Sequence, residues 1–111
     1  MLQIQLGPDR AVDPATDWLG RSRVGSLPGI SEQDAWEAGR GVWKFKADRA
    51  LAEDQVQIVD TQGLILAVAR IKGITKCGDR YALEGELLLG DPRIGQATTT
   101  PHPSRNPVAY I

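Results

Sequence analysis

The sequence is poor in the residues that do chemistry on their own. Among 111 residues there is one cysteine, one histidine, one methionine and one phenylalanine. Cys77 has no second cysteine to bond, so an internal disulfide is excluded. Cys77 and His102 together fall short of the four ligands of a structural zinc site. No acidic loop has EF-hand spacing, and no Gly-x-Ser-x-Gly elbow or Walker-type phosphate loop is present. No metal and no cofactor are therefore expected. No apolar run approaches the roughly 20 residues needed to span a bilayer. Met1 leads into LQIQLG with no basic segment before it, unlike a secretory signal, so the chain reads as cytoplasmic. Charge of one sign is lacking too. Thirteen Lys and Arg face fourteen Asp and Glu, a formal net charge of −1. That disfavours a basic body that coats nucleic acid, and leaves room for a local basic patch.

What is present suits one folded domain. Hydrophobic residues make up 41% and charged residues 24%, proportions of a globular chain. The aromatic set is Trp-heavy, with three Trp against two Tyr and one Phe. Alternation of polar and apolar side chains predicts strands over residues 2–6, 41–46, 55–59 and 81–89. Residues 64–69 are continuously apolar, as in a central strand covered on both faces. Its face with Ile65, Ala67 and Ala69 is small enough to receive Trp36 or Trp43, and Arg70 and Lys72 carry the strand out into water. Gly85 marks a bulge or a bend. Asp13-Pro14 predicts a helix over residues 14–20 that turns Trp18 and Leu19 inward. Ser31, followed by Asp34, predicts a second helix ending near Gly39. One helical turn is expected over residues 48–53. Residues 95–105 read as an extended loop, and residues 107–111, from Pro107 to Ile111, as a terminal edge strand. The expected fold is α+β: a small, partly open β-barrel of five or six strands with two short helices.

Candidate chemistry is sparse. Cys77 and His102 form the one nucleophile–base pair that the composition permits. The Lys-Cys-Gly-Asp turn suggests an exposed thiol with Lys76 beside it. Glu84 and Glu86 lie two apart on one strand face, a spacing that suits acid–base work only if one carboxyl is sequestered. A solvated strand face is the plainer reading. The basic and aromatic residues of the central stretch carry more. If Arg70 and Lys72 share the face of Lys44, they form a cationic strip beside Trp43, with Arg40 next to it and His102 and Arg105 from the late loop. Such a strip follows a phosphate backbone while an aromatic ring stacks a base. The alternative is a set of solubilising charges paired with Asp79, Glu84 and Glu86, with tryptophans that serve as core.

Several short strings add a resemblance. Trp36, then Gly39-Arg40-Gly41-Val42-Trp43, Ala67-Val68-Ala69-Arg70-Ile71, Leu83-Glu84-Gly85-Glu86 and Asn106-Pro107-Val108-Ala109-Tyr110 resemble a domain that accompanies GIY-YIG-type nuclease modules in bacteria. Its layout is similar to the PUA-like barrels, a group that includes the ASCH and EVE domains. The resemblance covers roughly residues 36–111. It implies a PUA-like barrel that binds RNA or modified DNA bases in a cleft beside Trp43 and its basic neighbours. The GIY-YIG catalytic segment is missing, so no nuclease activity is implied. The expectation is a non-catalytic nucleic-acid or nucleobase-binding module whose site draws on Arg40, Trp43, Lys44, Arg70, Lys72, His102 and Arg105. The alternative expectation is a small protein-interaction factor, such as an antitoxin, an immunity protein or a phage-encoded inhibitor. It would pair with its partner through the edge strand at Pro107 to Ile111.

Overall fold

The computed structural model describes residues 1–103 and 106–111. In chain order the elements are β1 (Leu2–Gln5), β2 (Arg10–Ala11), β3 (Arg23–Val24), α1 (Glu32–Gly39), α2 (Ala47–Leu51), β4 (Gln55–Val59), β5 (Ile65–Cys77), β6 (Arg80–Leu87) and β7 (Val108–Tyr110). Five strands form one mixed sheet in the order β6-β5-β4-β1-β7, and β2 and β3 make a separate ribbon. β1 runs parallel to β4, and the other neighbours in the sheet are antiparallel. The class is α+β, as expected. The sheet, however, is open: β6 and β7 are its edges, and no barrel closes among the described residues. No helix among those residues is long and apolar enough to cross a membrane.

Strand periodicity explains the two faces. Leu2, Ile4, Val56, Ile58, Ala67, Ala69 and Leu83 project to one face and meet Ala35, Trp36 and Ala38 of α1 in a single buried cluster. Ala67 and Ala69 are small, and the ring that joins them in this cluster is that of Trp36. Gln3 and Gln57 project to the other face, yet both are buried. The segment after β6 covers them. Thr98 Oγ1 accepts from Gln57 Nε2 at 3.0 Å and donates to Gln3 Oε1 at 3.1 Å. Gln57 Nε2 also donates to Gln3 Oε1 at 2.6 Å. Buried amides are tolerated because each finds a partner.

Two bulges in β5 alter the simple alternation. The first falls where Ile58 pairs Ala67 but Val59 pairs Ile65. The extra residue sends Ile65 to the second face, where it packs with Val59, Val68, Leu88 and Ile94. A strict period of two had placed it with Ala67. The second falls where Ile71 pairs Gly85 and Gly73 pairs Glu84, which leaves Lys72 as the unpaired residue. β5 does not leave the sheet at Arg70. It continues to Cys77 against β6.

Two sequence expectations need correction. Residues 14–20 form turns, not a helix. Asp13 Oδ1 accepts from Ala15 N and Asp17 Oδ2 from Leu19 N, local bonds that compete with helix propagation. Trp18 is consequently 66% exposed. Residues 41–46 are not a strand. Among the described residues this segment exchanges backbone hydrogen bonds with β6 only between Trp43 and Tyr81 before the chain turns into α2. The strand expected at residues 2–6 is present as β1, and it lies inside the sheet, between β4 and β7.

α1 starts as the sequence indicates. Ser31 Oγ accepts from Asp34 N at 3.1 Å, satisfying one of the four N–H groups that a helix start leaves open. Ser31→Ala is expected to lower the unfolding free energy by about 1 kcal/mol, and Ser31→Asp to keep it. Urea titration followed by tryptophan fluorescence measures both. Equal stability of the Ala variant and the parent would mean that the cap contributes nothing.

Candidate functional site

A cleft of about 590 Å³ opens between the Gly7–Arg10 segment, the Asp17–Arg21 turn, the Gly41–Trp43 segment and the β5–β6 turn. That volume falls in the range of small-ligand clefts, roughly 300–1,000 Å³. Each wall has a local cause. Gly78, with φ of 67°, takes the left-handed conformation that closes the β5–β6 turn. Asp17 shapes the opposite wall, accepting from the backbone N–H of Leu19 and of Arg21. This turn lays the exposed Trp18 ring beside Gly78, where an added Cβ would stand 3.5 Å from it. Trp43 forms the floor at one end. Its Nε1 donates to the Gly39 carbonyl at 2.7 Å, and its ring packs half-buried against the core cluster. Behind it, Phe45 and Tyr81 stack with centroids 5.4 Å apart.

Arg21 ties these walls together. Its Nε and Nη2 form a fork on the two oxygens of Asp17, each at 3.0 Å. Its Nη1 donates to the carbonyls of Glu37, Ala38 and Gly41. α1 has no basic residue in its own last turn. Arg21 supplies that charge from a distant loop, where the helix dipole favours a cation. The last carbonyls of α1 are all engaged: Trp36 by Arg40 N, Glu37 and Ala38 by Arg21, and Gly39 by Trp43. The hydrogen bonds from Arg21 hold the Asp17 carboxyl below the usual carboxylate range.

The charges of the cleft do not cancel. Arg21 is neutralised by Asp17. Asp79 faces Lys44 at 3.9 Å in an exposed pair, worth little in energy. That leaves Arg10 and Arg80. Both line the cleft, and neither side chain makes a hydrogen bond or ion pair among the described residues. The opening thus holds two unpaired cations, two tryptophan rings and the weakly paired Asp79 carboxylate.

Six of the seven residues expected from the sequence fall among the described residues, and they do not converge on this cleft. Trp43 lines it. Lys44 reaches its rim through Asp79. Arg40 is engaged elsewhere, with Glu37, Glu84 and the Leu83 carbonyl. Lys72 is paired with Glu86 at 3.6 Å. Arg70 stands in register between Gln55 and Glu86, on the sheet face away from α1. His102 Nδ1 lies 3.1 Å from Gln3 Nε2. Because Gln3 Oε1 is held by Gln57 and Thr98, the Gln3 amide must donate, so Nδ1 accepts and Nε2 carries the proton toward the Asn106 carbonyl. Arg105 lies outside the described residues. The continuous strip of Lys44, Arg70 and Lys72 is thus divided between the hairpin turn, the far sheet face and a bulge.

The other candidate chemistry is separated as well. Cys77 is buried, and its thiol is directed at the Thr75 carbonyl. The expected exposure fails because Cys77 ends β5 with its side chain turned inward. It does not hydrogen-bond His102. Glu84 is engaged by Arg40 and Thr75, and Glu86 by Lys72, so the two carboxylates are served by different partners. Among the described residues no three His, Cys, Asp or Glu side chains gather as metal ligands. At the β7 edge, Asn106 Oδ1 already occupies Val108 N, and the Arg49 guanidinium lies 3.9 Å over the Tyr110 ring. Burial holds the Tyr110 hydroxyl above its usual value.

Sequence reasoning missed Trp18, Arg10 and Arg80. The signal for Trp18 was the pair of aspartates, Asp13 and Asp17, around a short segment closed by Gly20, which favours capped turns over a helix. No protein family, curated protein or solved structure matches the chain.

Proposed function

We propose that the chain is a non-catalytic module that binds nucleic acid through an unstacked base held in the Trp18–Trp43 cleft. The observation that carries this reading is the exposed Trp18 ring in an opening lined by Arg10 and Arg80, two cations without a partner among the described residues. A base stacks on an indole face whatever its sequence, and a guanidinium pairs with phosphate through two parallel bonds. RNA and modified DNA are the ligands in view, and a cytoplasmic setting suits both. Kinship with the PUA-like group is part of the same proposal. It rests on the residue strings around Trp36, Trp43, Arg70, Gly85 and Tyr110.

The test is fluorescence anisotropy with a short labelled RNA and with single-stranded DNA carrying modified bases. Binding is expected to weaken with salt at a log–log slope of about −1.4, for two phosphates neutralised on a single strand. Trp18→Ala is expected to weaken it roughly ten-fold, the loss of one stacked base. Arg10→Gln with Arg80→Gln should weaken the affinity and flatten the salt slope of the binding that remains. Absence of binding to either nucleic acid at low salt would sink the proposal.

A further inference from the structure

A second opening, of about 690 Å³, lies on the other flank of the Leu6-Gly7-Pro8 segment, which lines both. Its character is the reverse of the first. Leu27, Leu64, Leu66 and Ile94 line it, and among the described residues the charged ones that line it are Glu32 and Asp60, with no Lys, Arg or His. Leu27 is 41% exposed and Leu64 39%. Glu32 accepts from the backbone N–H of Gly90 at 3.1 Å, which places Leu89, 74% exposed, next to the same rim. The described residues leave five large apolar side chains exposed. Three of them, Leu27, Leu64 and Leu89, gather here. Scattered exposed leucines need no explanation, but a concentration of them beside a groove marks an interaction surface.

We propose that this groove docks a short apolar peptide segment of a partner protein that carries lysine or arginine. The apolar lining supplies the anchor sites. The two carboxylates, unopposed by any lining cation, select the charge of the occupant. The same rim repels phosphate, so nucleic acid and peptide are sorted to opposite flanks of residues 6–8. This surface stands apart from the Trp18–Trp43 cleft and does not depend on the reading given to it.

The experiment is selection from a phage-displayed library of random peptides against the full chain. Selected sequences are expected to combine Leu, Ile or Met with a net positive charge. Their affinity should fall about ten-fold or more on Leu64→Ser or Leu27→Ser, the loss of one leucine contact. It should fall less, and become insensitive to salt, on Glu32→Gln with Asp60→Asn. Urea midpoints confirm that each variant folds. The proposal is overturned if the selected peptides are acidic or uncharged, or if none loses affinity with the leucine variants. It is equally overturned if the leucine variants instead abolish a concentration-dependent dimer, or binding to phosphatidylcholine vesicles.

Discussion

Arg21→Ala is expected to lower the unfolding free energy by about 2–3 kcal/mol, the loss of charge-assisted hydrogen bonds in a partly buried ion pair. The Arg21 side chain is 10% exposed and that of Asp17 12%. Without the guanidinium, Asp17 loses its charge partner, and the Glu37 and Ala38 carbonyls lose their donor. Against a total stability of about 5–15 kcal/mol, that is a large share. Arg21→Lys should recover only part of the loss, because one ammonium cannot reproduce the planar fork. The pH dependence has a definite sign. The Asp17 carboxyl is held below its ordinary value of 3.8, so its stabilising contribution is present above that value and lost as pH falls through the lowered one. Acid unfolding followed by tryptophan fluorescence should therefore begin at higher pH in Asp17→Asn and Arg21→Ala than in the parent. Unchanged acid midpoints in both variants would refute the account.

Gly85→Ala is expected to cost about 3 kcal/mol, at the upper end of overpacking effects. A Cβ at this position would stand 2.2 Å from the Arg70 carbonyl oxygen and 3.5 Å from the Trp36 ring. The nearer obstacle is backbone of the neighbouring strand, which cannot rotate aside. Relief requires β5 to part from β6 or the bulge at Lys72 to change register. For a domain this size the melting temperature should fall by roughly 12–24 °C. Gly73→Ala is the control. Gly73 lies in the same bulge, yet nothing is within 4 Å of its added Cβ and its φ is not positive. Its variant should stay within about 0.5 kcal/mol of the parent. If calorimetry shows the two variants equally stable, close approach at Gly85 is not what fixes the pairing of β5 and β6.

What could be read in the sequence was local. Ser31 as a cap, the strand at residues 55–59, the irregularity at Gly85 and the terminal edge strand all follow from neighbours in sequence, and all are present. The helix expected at residues 14–20 does not form because the Asp13 and Asp17 carboxylates take nearby backbone N–H groups that a helix would use. The strand expected at residues 41–46 failed for a different reason. Its alternation is real, but Trp43 spends its indole N–H on α1 and its backbone on Tyr81, long-range bonds that no local pattern reports. The cleft was illegible for the same reason. Trp18 owes its orientation to a turn anchored by Arg21 on α1, and Arg80 reaches the cleft only because β5 runs on to Cys77. The alternation that suggested a strip of Lys44, Arg70 and Lys72 took no account of bulges, and Lys72 is the bulged residue.

The place of β1 in the sheet bears on how the chain assembles. Leu2 pairs with Val56 on one side and Tyr110 on the other, and the Met1 ammonium reaches both Glu53 and the Ile111 carbonyl. During synthesis β1 emerges well before either of its neighbours, β4 and β7. Contacts this distant in sequence are slow to form. Until they form, β1 presents two open edges, the condition that invites pairing with a wrong chain. Gln3 and Gln5 break the apolar run that would make such pairing sticky. Gln3, buried in the finished sheet, is thus a polar residue that also interrupts the apolar run of the unpaired strand.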